Sequence, residues 1–307
     1  MRGLGQPLSL ARSWRLAQEA AAPKNRIDID GARRASIAAI FRSSVDGEEQ
    51  VLFIRRAINP RDPWSGHVAL PGGRQDGVDN GDDEATAIRE VREEVGLDLD
   101  GWVRLGRLVD DRLIHARGRP MVISLFGFEW DDSRGDTATA DTLTPQPSEV
   151  ADAWWVDTRL LRPERLGWRR VTLAKLLGPS ATPLVQFLLH LTRCTHADFA
   201  AIDLPPPTTA PVVDPTAHQL WGITLAFLSD LCREALSTPL VGHGAARGFV
   251  EPYRAPGLAS QLLLKVLFRV SGRLPPLKPG QAARLAFNAA AAAAAAASVA
   301  CFYMRLR

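Results

Sequence analysis

One short segment, residues 89–96, carries five charged side chains around only two valines. Glu90 and Glu94 are four residues apart, so in a helix they lie one turn apart on one face, and Glu93 lies three residues from Glu90. Each pair of like charges at this spacing costs about a few tenths of a kcal/mol. A divalent cation would replace that repulsion with coordination. We therefore predict that these carboxylates bind Mg²⁺ or Mn²⁺.

The element that presents these acids is a predicted helix over 82–95. At 100° per residue, Ile88, Val91 and Val95 fall on one apolar stripe that must pack against other residues. Acidic residues at the start of the segment favour the positive end of the helix dipole, and Gly96 follows as a stop signal. The boundaries of the helix are therefore well defined.

A turn directly upstream of this helix contains Pro71, Gly72 and Gly73. Because glycine has no side chain, the backbone of this turn can come close to a ligand. The alternative interpretation of the acidic helix is a solvated face balanced by Arg89 and Arg92. The adjacent glycine turn favours a cradle for a metal ion and a phosphate group instead.

Short predicted strands surround this helix. Two of them are joined by a turn at Asp46 and Gly47, and the pattern of strands around a helix predicts an α/β fold in which helices cover a sheet. The predicted strands start at Ser36 (SIAAIF) and cover 51–54, 102–109, 121–128 and 153–156.

The turn and the helix together resemble the Nudix box. Gly73 is followed after five residues by Asp79, and after nine more by the REVREEVGL segment of residues 89–97. The usual box has Glu at the position of Asp79 and two fewer residues before Arg89. The longer spacer, together with the upstream LFIRRAINPRDPWSGHVALPGG, is similar to the coenzyme A diphosphatase branch of the family. This resemblance covers about residues 51–97.

The resemblance implies a Nudix α/β/α sandwich with a mixed sheet, here with a C-terminal helical extension. It implies an Mg²⁺- or Mn²⁺-dependent hydrolase of a nucleoside diphosphate derivative. The favoured substrate is coenzyme A or acyl-CoA, cleaved to 3′,5′-ADP and a 4′-phosphopantetheine product. Two alternatives stay open: a Nudix hydrolase of ADP-ribose or another dinucleotide, and a non-catalytic Nudix-fold binding module.

The resemblance also assigns roles to residues of the box. Glu90 and Glu94 are the implied principal metal ligands, and Glu93 is a further ligand or a group that orients water. The carbonyl group of Gly72 is another candidate ligand. Arg89 is expected to orient a glutamate and so to fix the geometry of the carboxylates.

Further candidates lie outside the helix. Glu149, in the loop before a predicted strand, is the best candidate for a general base by position, although a plain exposed loop acid is the alternative. Arg55, Arg56 and Arg61 could pair with the 3′-phosphate of coenzyme A, and Gly73 could lie against the substrate. If one strand runs through Arg55 and Arg56, alternation turns only one of them inward.

Two histidines are predicted to be structural. Neither His67 nor His115 has a partner at metal-ligand spacing, and magnesium prefers oxygen ligands. Trp154 and Trp155 are adjacent in a predicted strand, so one is expected in the core and the other at a groove or in solvent.

Composition restricts the class of protein. The chain has 307 residues, of which 46% are hydrophobic and 23% charged, as in a folded globular protein. A net charge of +3 does not indicate nucleic-acid binding. Three widely spaced cysteines form no zinc motif and favour a reducing compartment. The sequence does not indicate an oligomeric state.

The predicted organisation has four parts: an N-terminal extension over 1–33, the Nudix domain over 34–195, a proline-rich linker or loop over 196–218, and a helical extension over 219–307. Helical patterns within the last part cover 219–236, 257–271 and 282–304.

Two segments bear on localisation. Residues 282–304 are alanine-rich and long enough to cross a bilayer, which leaves a membrane contact and a soluble helix as alternatives. The N-terminus is rich in arginine and has no acid before Glu19, which resembles a transit segment. We expect a cytoplasmic or mitochondrial location, with membrane association through the C-terminal helix as an alternative.

Overall fold

The computed structural model describes residues 9–20, 26–60, 62, 64–116, 119–131, 142–173, 183, 186, 195–207, 214, 216–241 and 253–254. The predicted helices over 257–271 and 282–304 lie outside these residues, as does Arg61. Within the described residues, no helix combines the length and the apolar character needed to cross a membrane.

The described chain contains three α-helices and twelve strands. The helices are α1 (Leu10–Ala20), α2 (Asp83–Val95) and α3 (Gly222–Leu236). The strands are β1 (Arg33–Ser43), β2 (Glu49–Arg56), β3 (Val68–Ala69), β4 (Gly72–Arg74), β5 (Val103–Arg107), β6 (Arg112–Ala116), β7 (Arg119–Glu129), β8 (Val150–Asp157), β9 (Leu166–Thr172), β10 (His196–Asp203), β11 (Gln219–Trp221) and β12 (Tyr253–Arg254).

The first sheet is mixed. Its central path runs β3-β2-β1-β7-β5, with β4 paired to β1, β6 to β7 and β8 to β2. Strands β1 and β7 are parallel, and the other pairs are antiparallel. Strands β1 and β2 form the predicted hairpin, whose turn places Gly47 at a φ of 77°. The predicted strands are therefore confirmed.

Helix α2 covers one face of this sheet, and both of its ends are capped. The Asp82 carboxylate accepts hydrogen bonds from the N–H groups of Glu84 and Ala85. At the other end Gly96 adopts a φ of 73° and donates its N–H to the Arg92 carbonyl. The apolar stripe is confirmed, because Val91 and Val95 are fully buried in the core on this side of the sheet.

Helices α1 and α3 cover the opposite face, which gives the predicted α/β/α layers. Trp14 of α1 and Phe227 of α3 are buried in one core with Phe41 and Phe53 of the sheet. The Trp14 ring lies so close to Gly127 that a Cβ at this glycine would be 2.1 Å from it. The N-terminal helix is therefore part of the core, although it falls in the predicted extension.

The described structure contains a second sheet, with order β11-β10-β12 and with β9 paired to β10. Its strand β10 (196–203) lies where the sequence analysis predicted a linker over 196–218, and that interpretation is wrong for these residues. The proline-rich signal starts only at Pro205, whereas Ala200 and Ile202 are buried. The predicted helix over 219–236 begins at Gly222, because its first three residues pair with β10.

Candidate metal centre

Three carboxylates, two from the second half of α2 and one from the loop before β8, come together. Glu90, Glu94 and Glu149 each offer an oxygen, and these oxygens lie within 4.8 Å of one another. Glu149 precedes β8, and its carbonyl accepts the N–H of Ala57, 2.8 Å away, which ties this loop to the end of β2. An all-oxygen, acidic set of donors matches the ligand preference of magnesium and manganese.

Glu94 is the most buried of the three. Its side chain is 2% exposed, and its Oε2 accepts the backbone N–H of Gly72 at 2.8 Å. Burial raises the pKa of this carboxyl to about 8, although the Gly72 N–H and the nearby Arg56 guanidinium both oppose the shift. Burial also raises the pKa of Glu90, and Arg89 opposes it. Incompletely compensated carboxylates of this kind fit a divalent cation.

The glycine turn permits the close approach of the helix to the backbone. Gly72 has a φ of 143°, and a Cβ there would lie 2.3 Å from the Ser36 carbonyl oxygen. A Cβ at Gly73 would lie 2.3 Å from Glu90 Oε2. Glycine at position 73 therefore leaves the space that the Glu90 carboxylate occupies, which supports a cradle formed by turn and helix.

Arg89 is saturated with acceptors. Its Nε and Nη2 donate to the two oxygens of Asp79 at 2.8 and 2.9 Å, and Nη2 also donates to the Arg74 carbonyl at 3.0 Å. Its Nη1 lies 2.9 Å from Glu90 Oε1 and 2.8 Å from Glu93 Oε2. A guanidinium has five N–H donors, and here five acceptors surround it. These contacts use all five donors of Arg89 and hold it against the carboxylates of Asp79, Glu90 and Glu93. That Arg89 orients a glutamate for a metal ion stays a prediction.

Asp79 anchors Arg89, a role that the sequence analysis did not give it. The paired Arg89 lowers the pKa of Asp79 to about 2, even though the side chain is buried. The Asp79 carboxylate also accepts the Asp76 N–H at 2.8 Å and the Thr86 hydroxyl at 3.0 Å. Its place in the box, at the position usually held by Glu, was the signal that could have identified it.

Glu93 lies outside the group of three carboxylates. Its side chain is 56% exposed and pairs with Arg89. On a helical wheel Glu93 and Glu94 fall on opposite sides of Glu90, 100° apart, so both cannot turn toward the same buried point. The prediction that Glu90, Glu93 and Glu94 converge therefore does not hold. The third carboxylate beside Glu90 and Glu94 is Glu149.

The candidate arginines separate according to the side of β2 on which they lie. The Arg55 Nε donates to Asp152 Oδ2 at 2.6 Å, and this same oxygen lies 3.7 Å from His218 Nε2. Arg56 instead pairs with Asp62, and its Nη1 lies 4.0 Å from Glu94 Oε1. Of the two described candidates, Arg56 lies near the three carboxylates and Arg55 pairs elsewhere, in agreement with the expected alternation.

The predicted structural roles of the aromatic residues fit the contacts. The His67 ring packs against the Trp221 ring with centroids 4.7 Å apart. Trp154 is buried, whereas Trp155 is half-buried and stacks with the Arg42 guanidinium at 4.2 Å.

The part of the chain that contains the three carboxylates also resembles known proteins. A family model described as NUDIX domain matches residues 32–176. An uncharacterized protein of Schizosaccharomyces pombe is 29% identical over 225 residues, which are 64% of this chain and 66% of that protein. Nudix hydrolase 22, chloroplastic, of Arabidopsis thaliana is 32% identical over 121 residues, which are 38% of this chain and 35% of that protein. Both alignments thus span less than two thirds of the relative's own length.

Solved structures are also similar. The crystal structure of a C. elegans Ap4A hydrolase binary complex matches with 18% identity and a TM-score of 0.33, covering 42% of this chain and 82% of that chain.

Proposed function

We infer the function of this chain from one premise, that residues 32–176 form a NUDIX domain. We propose that this domain hydrolyses the diphosphate linkage of a nucleoside diphosphate derivative with the help of Mg²⁺ or Mn²⁺. The observation that carries the proposal is the meeting of Glu90, Glu94 and Glu149 within 4.8 Å, beside the turn of Gly72 and Gly73. The name of the Arabidopsis relative is that of a hydrolase, which agrees with it.

The chemistry follows from what these side chains can hold. A divalent ion bound to Glu90 and Glu94 would neutralise charge on the diphosphate and lower the pKa of a water molecule. The protein's own contribution is to fix the ligands: Asp79 holds Arg89, Arg89 holds Glu90, and the Gly72 N–H holds Glu94. This chain of contacts preorganises the carboxylates before any ligand arrives.

Glu149 is the accessible member of the group. It is exposed, whereas Glu94 is buried, so water and substrate can reach it. Two roles fit this position: a third metal ligand, and the general base that takes a proton from the attacking water. In Glu149→Gln, unchanged Mn²⁺ affinity with a large loss of kcat would assign the base. A parallel loss of Mn²⁺ affinity would assign the ligand.

Coenzyme A is the substrate that we favour, cleaved to 3′,5′-ADP and 4′-phosphopantetheine. The support is the sequence of the glycine turn and of the segment before it, with its longer spacer to Arg89. Arg55 and Arg61 are the candidates for the 3′-phosphate. Within the described residues, Arg55 forms a hydrogen bond through Nε, and its two terminal nitrogens form none.

A substrate panel tests the proposal. Purified full-length protein with Mg²⁺ or Mn²⁺ is incubated with coenzyme A, dephospho-coenzyme A, ADP-ribose and a dinucleoside polyphosphate, and the products are separated by chromatography. We expect 3′,5′-ADP and 4′-phosphopantetheine from coenzyme A at the highest kcat/KM. Preferential cleavage of ADP-ribose or a dinucleotide would replace the favoured substrate by the first alternative.

The second alternative, a binding module without catalysis, makes a different prediction for Glu94→Gln. A hydrolase loses most of its turnover in this variant and keeps its fold. A binding module hydrolyses no member of the panel and binds a nucleotide equally well before and after the change. Circular dichroism and nucleotide titration of both proteins distinguish these outcomes.

A further inference from the structure

Arg56 is a cation beside the candidate metal centre that keeps free donors. Its Nε and Nη2 donate to Asp62 Oδ2 at 2.9 and 2.8 Å. Its Nη1 lies 4.0 Å from Glu94 Oε1, which is too long for a hydrogen bond, and forms none within the described residues. Arg89 also touches the centre, but all its donors are used. Arg56, unlike Arg89, can therefore still donate to a ligand there.

Asp62 fixes the direction of Arg56. The Asp62 side chain is 16% exposed, and its second oxygen accepts the N–H of Trp64 at 3.0 Å. The Asp62 N–H donates to the carbonyl of Asn59, and its own carbonyl accepts the N–H of Ser65. Asp62 is thus held by its own turn, and its bonds to Nε and Nη2 leave Nη1 on the side of Glu94.

The charge of the site explains why a cation is needed at this point. When a divalent ion is bound, the three deprotonated carboxylates and a diphosphate together carry more negative charge than one ion neutralises. A guanidinium presents paired donors that match phosphate oxygens. Nη1 of Arg56 lies at the edge of the three carboxylates, 4.0 Å from Glu94 Oε1, and its N–H groups can donate to a phosphate oxygen placed beside Glu94.

The neighbouring Arg55 cannot share this role. It lies in the same strand but pairs with Asp152, whose carboxylate is near His218 rather than Glu94. Successive side chains of a strand turn to opposite faces. The two arginines therefore contact different parts of a ligand. Arg56 is then not a contact for the 3′-phosphate, which is the role predicted for it together with Arg55 and Arg61.

We propose that Arg56 binds the scissile diphosphate itself and that Asp62 is its positioning residue. The inference rests on the proposed function, because it names the group of the substrate that Arg56 contacts. It adds to that function a residue pair outside the acidic helix, and it makes the contribution of Arg56 independent of the 3′-phosphate.

Two measurements on the full-length protein test it. The first is ADP binding by calorimetry in EDTA, which reports the contact with a diphosphate without metal. The second is kcat/KM for coenzyme A and dephospho-coenzyme A, which share the diphosphate and differ in the 3′-phosphate. Arg56→Gln should weaken ADP at least about tenfold, as for a lost charge-assisted hydrogen bond. It should lower both kcat/KM values by the same factor.

Matched variants complete the design. Arg56→Lys keeps the charge and should recover part of the ADP affinity, and Asp62→Asn should reproduce a smaller loss that is equal for both substrates. Arg92→Gln removes one positive charge from the exposed side of α2 and should leave ADP affinity unchanged. Thermal unfolding of each variant confirms the fold.

The outcomes separate this inference from the proposed function. A loss confined to coenzyme A would show that Arg56 reads the 3′-phosphate, and unchanged ADP affinity in Arg56→Gln would remove the contact. An Asp62→Asn protein equal to wild type would remove the positioning role. Arg56-dependent ADP binding without any hydrolysis would overturn the proposed function and leave the contact standing. Hydrolysis that is unchanged in Arg56→Gln would support the proposed function and overturn the contact between Arg56 and the diphosphate.

Discussion

At the scale of single residues, the acids of the site differ in their surroundings, and these surroundings suit them to different roles. Glu94 is buried with one N–H donor, Asp79 is buried against a saturated arginine, and Glu149 is open to solvent. The same functional group is therefore a candidate metal ligand, an anchor or an accessible base. Local contacts decide which of these roles an acid can take. Burial raises the pKa of Glu94, whereas the paired Arg89 lowers the pKa of Asp79.

Replacing the anchor tests this division of tasks. Asp79→Asn leaves the Arg89 guanidinium with a weaker partner in a buried place, and breaking such a pair costs about 3 kcal/mol. We expect a lower free energy of unfolding in urea and a tenfold or larger loss of kcat/KM, on the order of what an outer-shell change costs. Asp98→Asn, which breaks the exposed pair with Arg92, is the control and should change neither. Equal effects of the two variants would contradict the anchor role.

The raised pKa of Glu94 predicts how stability depends on pH. Burial raises the pKa of this carboxyl in the native state to about 8, from an ordinary value of 4.5. Its contribution to stability is therefore present below pH 4.5 and is lost as the pH rises towards 8. In EDTA, Glu94→Gln should have a higher Tm than wild type at pH 8, and the difference should shrink at pH 5. Added Mn²⁺ should raise the Tm of wild type only. A pH-independent difference in Tm would refute this.

At the scale of elements, the site is a helix held against a turn. The caps at Asp82 and Gly96 fix where α2 begins and ends, and its apolar stripe fixes which side faces the sheet. Strand β4 then brings Gly73 against Glu90. Because packed interiors have little free volume, this contact leaves no room for a side chain at position 73.

Gly73→Ala tests the fit between turn and helix. The added methyl group would lie 2.3 Å from Glu90 Oε2, so the carboxylate must move. We expect weaker Mn²⁺ binding, measured by electron paramagnetic resonance, and a loss of turnover of about a hundredfold, as when catalytic geometry shifts by about 1 Å. The matched control is Gly77→Ala in the same loop, where a Cβ meets nothing within 4 Å. If both variants bind Mn²⁺ as wild type does, the turn has room for a side chain at position 73, and the predicted fit between turn and helix is wrong.

At the scale of the whole molecule, the core around the site extends to elements on both sides of the residues that match the NUDIX domain model. Helix α1 lies before the matched residues 32–176 and α3 after them, yet both pack on the sheet. The Trp14 indole donates to Glu234 at 3.2 Å, which joins the two helices. The layer opposite α2 therefore depends on segments that are distant in the sequence.

Trp14→Ala tests how much this layer contributes. Truncating a fully buried tryptophan to alanine costs about 3 to 5 kcal/mol, through lost burial and the cavity left behind. We expect this loss in urea unfolding of the full-length protein, with Leu16→Ala on the exposed side of the same helix as a near-neutral control. Similar, small effects of both changes would mean that α1 is not part of the cooperative unit.

Sequence by itself determined the features that depend on local spacing. The hairpin of β1 and β2 and the limits of α2 follow from turn residues, caps and hydrophobic periodicity, which act over a few residues. The pairing of Glu90 with Glu94 follows from the helical repeat in the same way. The family resemblance pointed to Glu149 by position but left its role open.

Only the tertiary structure decided which distant residues meet. Glu149 reaches Glu94 because β8 pairs with β2, and Glu93 is excluded because its side of the helix faces solvent. The strand at 196–203 and the packing of α1 in the core likewise depend on partners far along the chain. Such contacts have no local signature, since pairing across long separations is set by the packing of the whole sheet.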